Sequence, residues 1–249
     1  MCCGFYNPKI ALYPKLEQQL EELNMKNLST DAPQQKRSDT IRYMVEVAML
    51  MAVEFVMKAI GLGSVPVGPL YMSFLTVPIA VGAIILGPTA GTLLGLVFGA
   101  VSFKDALTGG SAMTSTLLQV SAVNTFILCV VMRMLMGFCA GWIFRFFNKV
   151  TRKSTVSYFI GALSAPVLNT LFFMGYICLA FFNTEYVQNL CVAKGVSNPL
   201  TFVVALVGVQ GLIEAIVCCA VGGAIAKGVA VALGHTTRKK KATEETEEN

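Results

Sequence analysis

The chain has a single histidine and a single tryptophan, and only 13% of its 249 residues are charged. His235 lies in a polar terminal stretch, so no apolar segment carries an imidazole for acid–base work or metal ligation. No C-x-x-C pair occurs among the eight cysteines. Cys129, Cys139, Cys178, Cys218 and Cys219 sit in apolar runs, where the thiol behaves as a small hydrophobe. Cys2-Cys3 follows no signal-peptide core and is assigned no function. The phosphate-cradling pattern GxxxxGK[ST] is missing, so the chain is not expected to hydrolyse ATP by itself. HExxH and GxSxG are missing too. Nor is there an inverted repeat of broken helices such as many secondary transporters carry. These gaps argue against an enzyme, and the expectation is no catalytic residue, no metal, no cofactor and no nucleic-acid partner.

What the chain has in abundance is apolar length. Hydrophobic residues make up 55% of it, and the mean hydropathy is +0.67. The composition predicts an all-α polytopic membrane protein with one membrane domain over 41–233. Polar tails over 1–40 and 234–249 flank it, the first with one short amphipathic helix on Leu12, Leu16, Leu20 and Leu23. Six membrane helices are predicted, over 41–60, 71–86, 88–103, 121–147, 156–182 and 200–233. The second and third meet at Gly87-Pro88, where proline suits the first turn of a new helix. From there Gly87, Gly91, Gly95 and Gly99 recur every fourth residue. That stripe of bare backbone lets another helix approach closely, which makes the hairpin a packing element of the bundle core. Pro78 predicts a kink in the second helix.

Even span number puts both termini on one side, and basic residues choose which. Lys26, Lys36, Arg37 and Arg42 precede helix 1, Arg145, Lys149, Arg152 and Lys153 surround the 4–5 connection, and Lys227 with Arg238 to Lys241 closes the chain. The other side holds only Lys58, Lys104 and Lys194. Both termini are therefore expected in the cytoplasm. The external connections, 61–70, 104–120 and 183–199, are the long glycine- and proline-bearing ones, suited to closing over something captured from outside. Gly109-Gly110 is the hinge candidate in the second of them.

Three polar residues stand inside spans. Arg133 and Glu214 fall about 18 to 21 Å below the external ends of helices 4 and 6 at 1.5 Å per residue, and Asn169 on helix 5 reaches a similar depth. A charge in that layer costs at least about 2.5 kcal/mol, so it needs a partner or a cavity. Two readings stay open: a structural Arg133–Glu214 pair with Asn169 hydrogen-bonded across helices, or a pocket in which Arg133 meets a ligand carboxylate bidentately. Asn124, Gln210, Tyr71 and Ser73 lie nearer the external mouth as further ligand-binding candidates. In helix 1, Glu54 and Lys58 are spaced to pair at i, i+4. Ala48 and Ala52 form an A-x-x-x-A patch facing away from Glu46 and Glu54.

These residues resemble a known family. Ala48-xxx-Ala52, the hairpin PIAVGAIILGPTAGTLLGLVFG, VVMRMLMGFCAGWIF, LNTLFFMG and GLIEAIV together are similar to the substrate-binding S components of energy-coupling factor (ECF) vitamin transporters, over about residues 41–233. The resemblance implies a multi-pass protein of the prokaryotic cytoplasmic membrane that binds a water-soluble vitamin from outside. It implies association with a membrane coupling protein (T component) and two cytoplasmic ATPase subunits, with Ala48 and Ala52 at the coupling-protein interface. A mid-helix Arg133 with Asn169 is similar to the pantothenate-type branch, so pantothenate is the expected vitamin. Riboflavin- and folate-type ligands, or a self-sufficient proton-coupled carrier of a small organic acid working through Glu54 or Glu214, are the alternatives.

Overall fold

Residues 37, 40–63, 65–67, 70–151, 154–196 and 198–232 are described by the computed structural model. The expected tails over 1–40 and 234–249 lie outside these residues, apart from 37 and 40. The chain divides into two compact units, 1–46 and 47–249. In the first, 40–46 are helical, and Arg42 Nε donates to Glu46 Oε1 at 2.9 Å. The second opens with helical residues 47–59, here α1.

Beyond α1 the backbone departs from the expected loop. Val65–Val67 (β1) and Leu70–Met72 (β2) form an antiparallel hairpin with Pro66 opposite Tyr71. Val65, Val67 and Tyr71 are of the β-branched and aromatic types that favour strands over a helix. Tyr71 therefore belongs to a strand and does not begin the second helix. That helix, α2, covers Thr76–Ile85. Its 10 residues span about 15 Å, half of a hydrocarbon core of about 30 Å. Every residue from Thr76 to Ile84 is buried, so α2 is an inner rod of the bundle. Pro78 falls in its first turn, where no intrahelical partner awaits the missing N–H; the expected kink is not needed.

Gly87, at φ 99°, turns the chain in a conformation that costs glycine little. Then α3 runs over Pro88–Thr108, five residues past its predicted end. The expected loop 104–120 is largely helical, because α4 covers Ala112–Val120. Next come α5 (Ala122–Phe126), a π-helical turn (Ile127–Val131) and α6 (Met132–Val150). The long α7 covers Ser154–Ala180 with Pro166 inside it. The expected loop 183–199 holds α8 (Glu185–Ala193). Finally α9 (Pro199–Val217), a second π turn (Cys218–Gly222) and α10 (Gly223–Ala232) form one continuous stretch. Among the described residues four helical stretches are long and apolar enough to cross a membrane: Pro88–Thr108, Ala122–Val150, Thr155–Ala180 and Pro199–Ala232.

The glycine stripe finds its partner in α6. A Cβ on Gly91 would strike the Gly137 carbonyl, one on Gly95 the Arg133 carbonyl, and one on Gly99 the backbone of Cys129 and Val130. α3 thus meets α6 and the π turn before it backbone to backbone over about two turns, as small-residue spacing allows. At the end of this contact Arg145 lies against Gly87, so the 2–3 turn shares an end of the bundle with the basic terminus of α6. One apolar cluster surrounds α2 (Leu75, Ile79, Leu94, Phe98, Met136) and another joins α4, α7, α8 and α9 (Leu117, Met174, Phe181, Val187, Phe202). The site lies between them.

Candidate functional site

Between the two clusters is a cavity of about 90 Å³. Its walls take Leu75 and Phe98 from one cluster and Met113, Met174 and Val207 from the other. Its polar residues are Lys58, Ser73, Ser102, Asp105, Ser111, Thr114, Arg133, Asn169, Thr170, Gln210 and Glu214. Five of the residues expected to bind a ligand thus line one space.

Arg133 stands in the first turn of α6, directly after the π turn. Such turns insert an extra residue into a helix and re-aim the side chains that follow. With Gly95 seated against its carbonyl, the backbone of Arg133 has no freedom to drift. Its side chain is 8% exposed, and Nη1 donates to the Cys129 carbonyl at 3.3 Å. Cζ lies 4.3 Å from the ring centroid of Phe98 and 4.9 Å from that of Phe173. Two rings, from α3 and α7, hold the cation by their quadrupoles without using its N–H groups. Nε is buried and has no hydrogen-bond partner.

Of the two readings left open for Arg133, direct pairing is not what forms: among the described residues the ion pairs are Arg42–Glu46 and Lys58–Asp105. Glu214 turns instead to α2, where Thr76 Oγ1 donates to its Oε1 at 3.2 Å. One turn earlier on α9, the Oε1 of Gln210 is buried without a partner. Asn169 on α7 is half-buried at the cavity wall. Ser73 Oγ donates to the Gly63 carbonyl at 3.1 Å, tying the hairpin's exit to the end of α1. The cavity thus holds one matched charge pair, one carboxylate with a hydroxyl partner, and one guanidinium with an open edge.

Two expected residues are elsewhere. Asn124 does not line the cavity; its Oδ1 accepts from Tyr176 Oη at 3.3 Å, joining α5 to α7. Tyr71 lies in β2, and its side chain is outside the described residues. The expected Glu54–Lys58 pair is replaced by Lys58–Asp105, and neither carboxylate oxygen of Glu54 has a hydrogen-bond partner. Ala48 and Ala52 are exposed while Glu54 is 2% exposed, which is the division of faces that their spacing predicts. Phe98, Phe173 and Asp105 were not singled out in the sequence. Only their spacing on helices adjoining Arg133 could have signalled them.

A larger space, an apolar groove of about 610 Å³, separates α7 from α9. It is lined by Pro166, Leu171, Gly175, Leu200, Val204 and Gly208, among others. Thr170, Met174 and Val207 line both spaces, so the partition between them is one side chain thick. Size alone favours the groove, but the convergent polar groups that fix a ligand's orientation are in the cavity.

No individual curated protein matches the chain. The family model for the substrate-specific component of ECF transporters matches residues 42–224, a span that takes in every cavity residue. The chain therefore belongs to this family and is a substrate-binding membrane subunit of an ECF transporter.

Proposed function

We propose that the cavity captures a small water-soluble carboxylate from the external side, and that pantothenate is the vitamin. The observation carrying this reading is the buried, unpartnered Nε of Arg133. With rings at the guanidinium and Nη1 engaged with Cys129, the remaining in-plane edge suits a carboxylate accepting two parallel N–H bonds. Gln210, Asn169 and Glu214 offer acceptors and donors for the ligand's amide and hydroxyl groups. At about 90 Å³ the cavity is smaller than ligand pockets of about 300–1,000 Å³, so in this reading its walls yield when the vitamin binds. In this reading the chain passes six times through a prokaryotic cytoplasmic membrane, one pass being the segment that holds the short α2, both termini are cytoplasmic, and energy comes from a coupling protein with two ATPase subunits.

A thermal-shift screen of the detergent-solubilised chain against water-soluble vitamins tests the ligand. At about 100 times Kd, a ligand stabilises by about 2.7 kcal/mol. The expected result is an upward shift with pantothenate. A shift with riboflavin or folate alone would discard pantothenate, and silence across the panel would discard the vitamin reading.

The coupling protein is proposed to dock on the exposed face of α1 that carries Ala48 and Ala52. Ala48→Trp or Ala52→Trp would push a bulky ring into a face suited to close helix approach. Co-purification with the coupling protein is expected to be lost while pantothenate binding stays within about twofold, as for surface changes outside the cavity. An intact complex with both variants would move the interface elsewhere.

A further inference from the structure

With the cavity as the vitamin site, on which this inference rests, we propose that Met174 is the movable wall that makes room for the ligand. On binding, its thioether swings out of the cavity and into the groove between α7 and α9. The cavity, at about 90 Å³, is well short of the usual ligand pocket of about 300–1,000 Å³, whereas the groove beside it holds about 610 Å³. Of the residues lining the cavity, Thr170, Met174 and Val207 have open space on both sides. In a helix the β-branched Thr170 and Val207 are stiff at χ1. Met174 has an unbranched side chain with three rotatable bonds, which adapts to irregular gaps. Met113 also lines the cavity, but it does not line the groove and belongs to the apolar cluster with Leu117 and Leu128. It has nowhere to go.

The groove has a place for the displaced side chain. Cys178 Sγ lies 3.9 Å from the Pro199 carbonyl oxygen, and a Cβ on Gly211 would lie 3.6 Å from Thr170 Oγ1. Antiparallel α7 and α9 therefore bring Met174, midway between Thr170 and Cys178, level with the turn from Val204 to Gly208. Gly208 has no side chain to fill that turn, and a Cβ added there would meet only Val204 Cγ1, at 3.8 Å. On the α7 wall of the groove, a Cβ on Gly175 would meet nothing within 4 Å. Apart from Thr170, the groove is lined by apolar residues and the Cys178 thiol. A thioether that turns from one staggered rotamer to another there exchanges one apolar surrounding for another. The size of ligand that fits is then set partly on α9, by residues outside the cavity.

Calorimetric titration of the detergent-solubilised chain with pantothenate tests the wall through Gly208, which lines the groove and not the cavity. Gly208→Leu fills the space awaiting the thioether and is expected to weaken binding about tenfold. In a Met174→Ala background nothing needs to swing aside, and the same change is expected to move the affinity by less than about twofold. Val204→Phe fills the same turn and takes the place of Gly208→Leu if that variant does not fold. A second readout needs no variant at the groove. In the chain with isotope-labelled methionine methyls, pantothenate is expected to shift the Met174 resonance, identified by its loss in Met174→Leu, more than that of Met113. Equal losses of affinity with and without Met174→Ala, no loss from either filling change, or an unmoved Met174 resonance in the bound chain overturns the movable wall and leaves pantothenate as the ligand. No binding to the unaltered chain overturns the vitamin reading, and the wall with it.

Discussion

If the cavity takes pantothenate as proposed, Arg133→Lys is expected to weaken that binding about a hundredfold while leaving the unliganded protein folded. Lysine keeps the positive charge on a stem of similar reach, and an ammonium can rest against Phe98 and Phe173 as the guanidinium does. What it lacks is a planar edge offering two parallel donors. Arg133→Ala removes the charge as well and is expected to cost about 2–5 kcal/mol, the usual result of truncating one member of a buried, hydrogen-bonded charge pair. At 1.4 kcal/mol per tenfold, that carries the affinity down by about one and a half to three and a half decades. Calorimetric titration with pantothenate gives the affinity, and the melting temperature without ligand reports the fold. Wild-type affinity in both variants would mean the open edge faces nothing that binds.

The second large effect concerns the packing that holds Arg133 in place. Gly137→Ala places a methyl group on the Gly91 carbonyl, and backbone on both sides leaves nothing flexible to yield. Overpacking of this kind costs about 1–3 kcal/mol when side chains can adjust, and the upper end is expected here. The contrast lies on α9. A methyl on Gly208 would meet only Val204 at 3.8 Å, so Gly208→Ala is expected to stabilise by up to about 1 kcal/mol through helix propensity. Opposite signs in the melting temperatures of these two conservative changes would support the backbone contact. Equal and small shifts would remove it. Gly137→Ala should also loosen ligand binding, since α6 carries both the contact and Arg133.

The features legible in the sequence are those that repeat along a single helix. Glycine every fourth residue announced a helix at close approach, and α6 is that helix. Equal depths along the apolar runs gathered Arg133, Asn169 and Glu214 into one layer, and the three line one cavity. Partnerships between distant segments were not legible. Lys58 had a carboxylate four residues away and another 47 residues away, and tertiary packing delivered the distant one. Short elements were also hidden. In α4 the buried positions Met113, Thr114 and Leu117 cover little more than one turn, too little period to separate a helix from a loop. Hydropathy suggested a full span where α2 has 10 residues, because a rod buried on all sides is as apolar as one facing lipid. The two π turns leave no compositional trace, yet one ends two residues before Arg133 and the other begins four residues after Glu214.

The one-residue partition between cavity and groove changes what counts as the site. Behind Thr170, Met174 and Val207 lies the apolar groove, and where that groove faces a bilayer, acyl chains are the next matter. Lipid is then part of the dielectric around Arg133, and a hydrogen bond to its open edge draws some of its strength from hydrocarbon the chain does not encode.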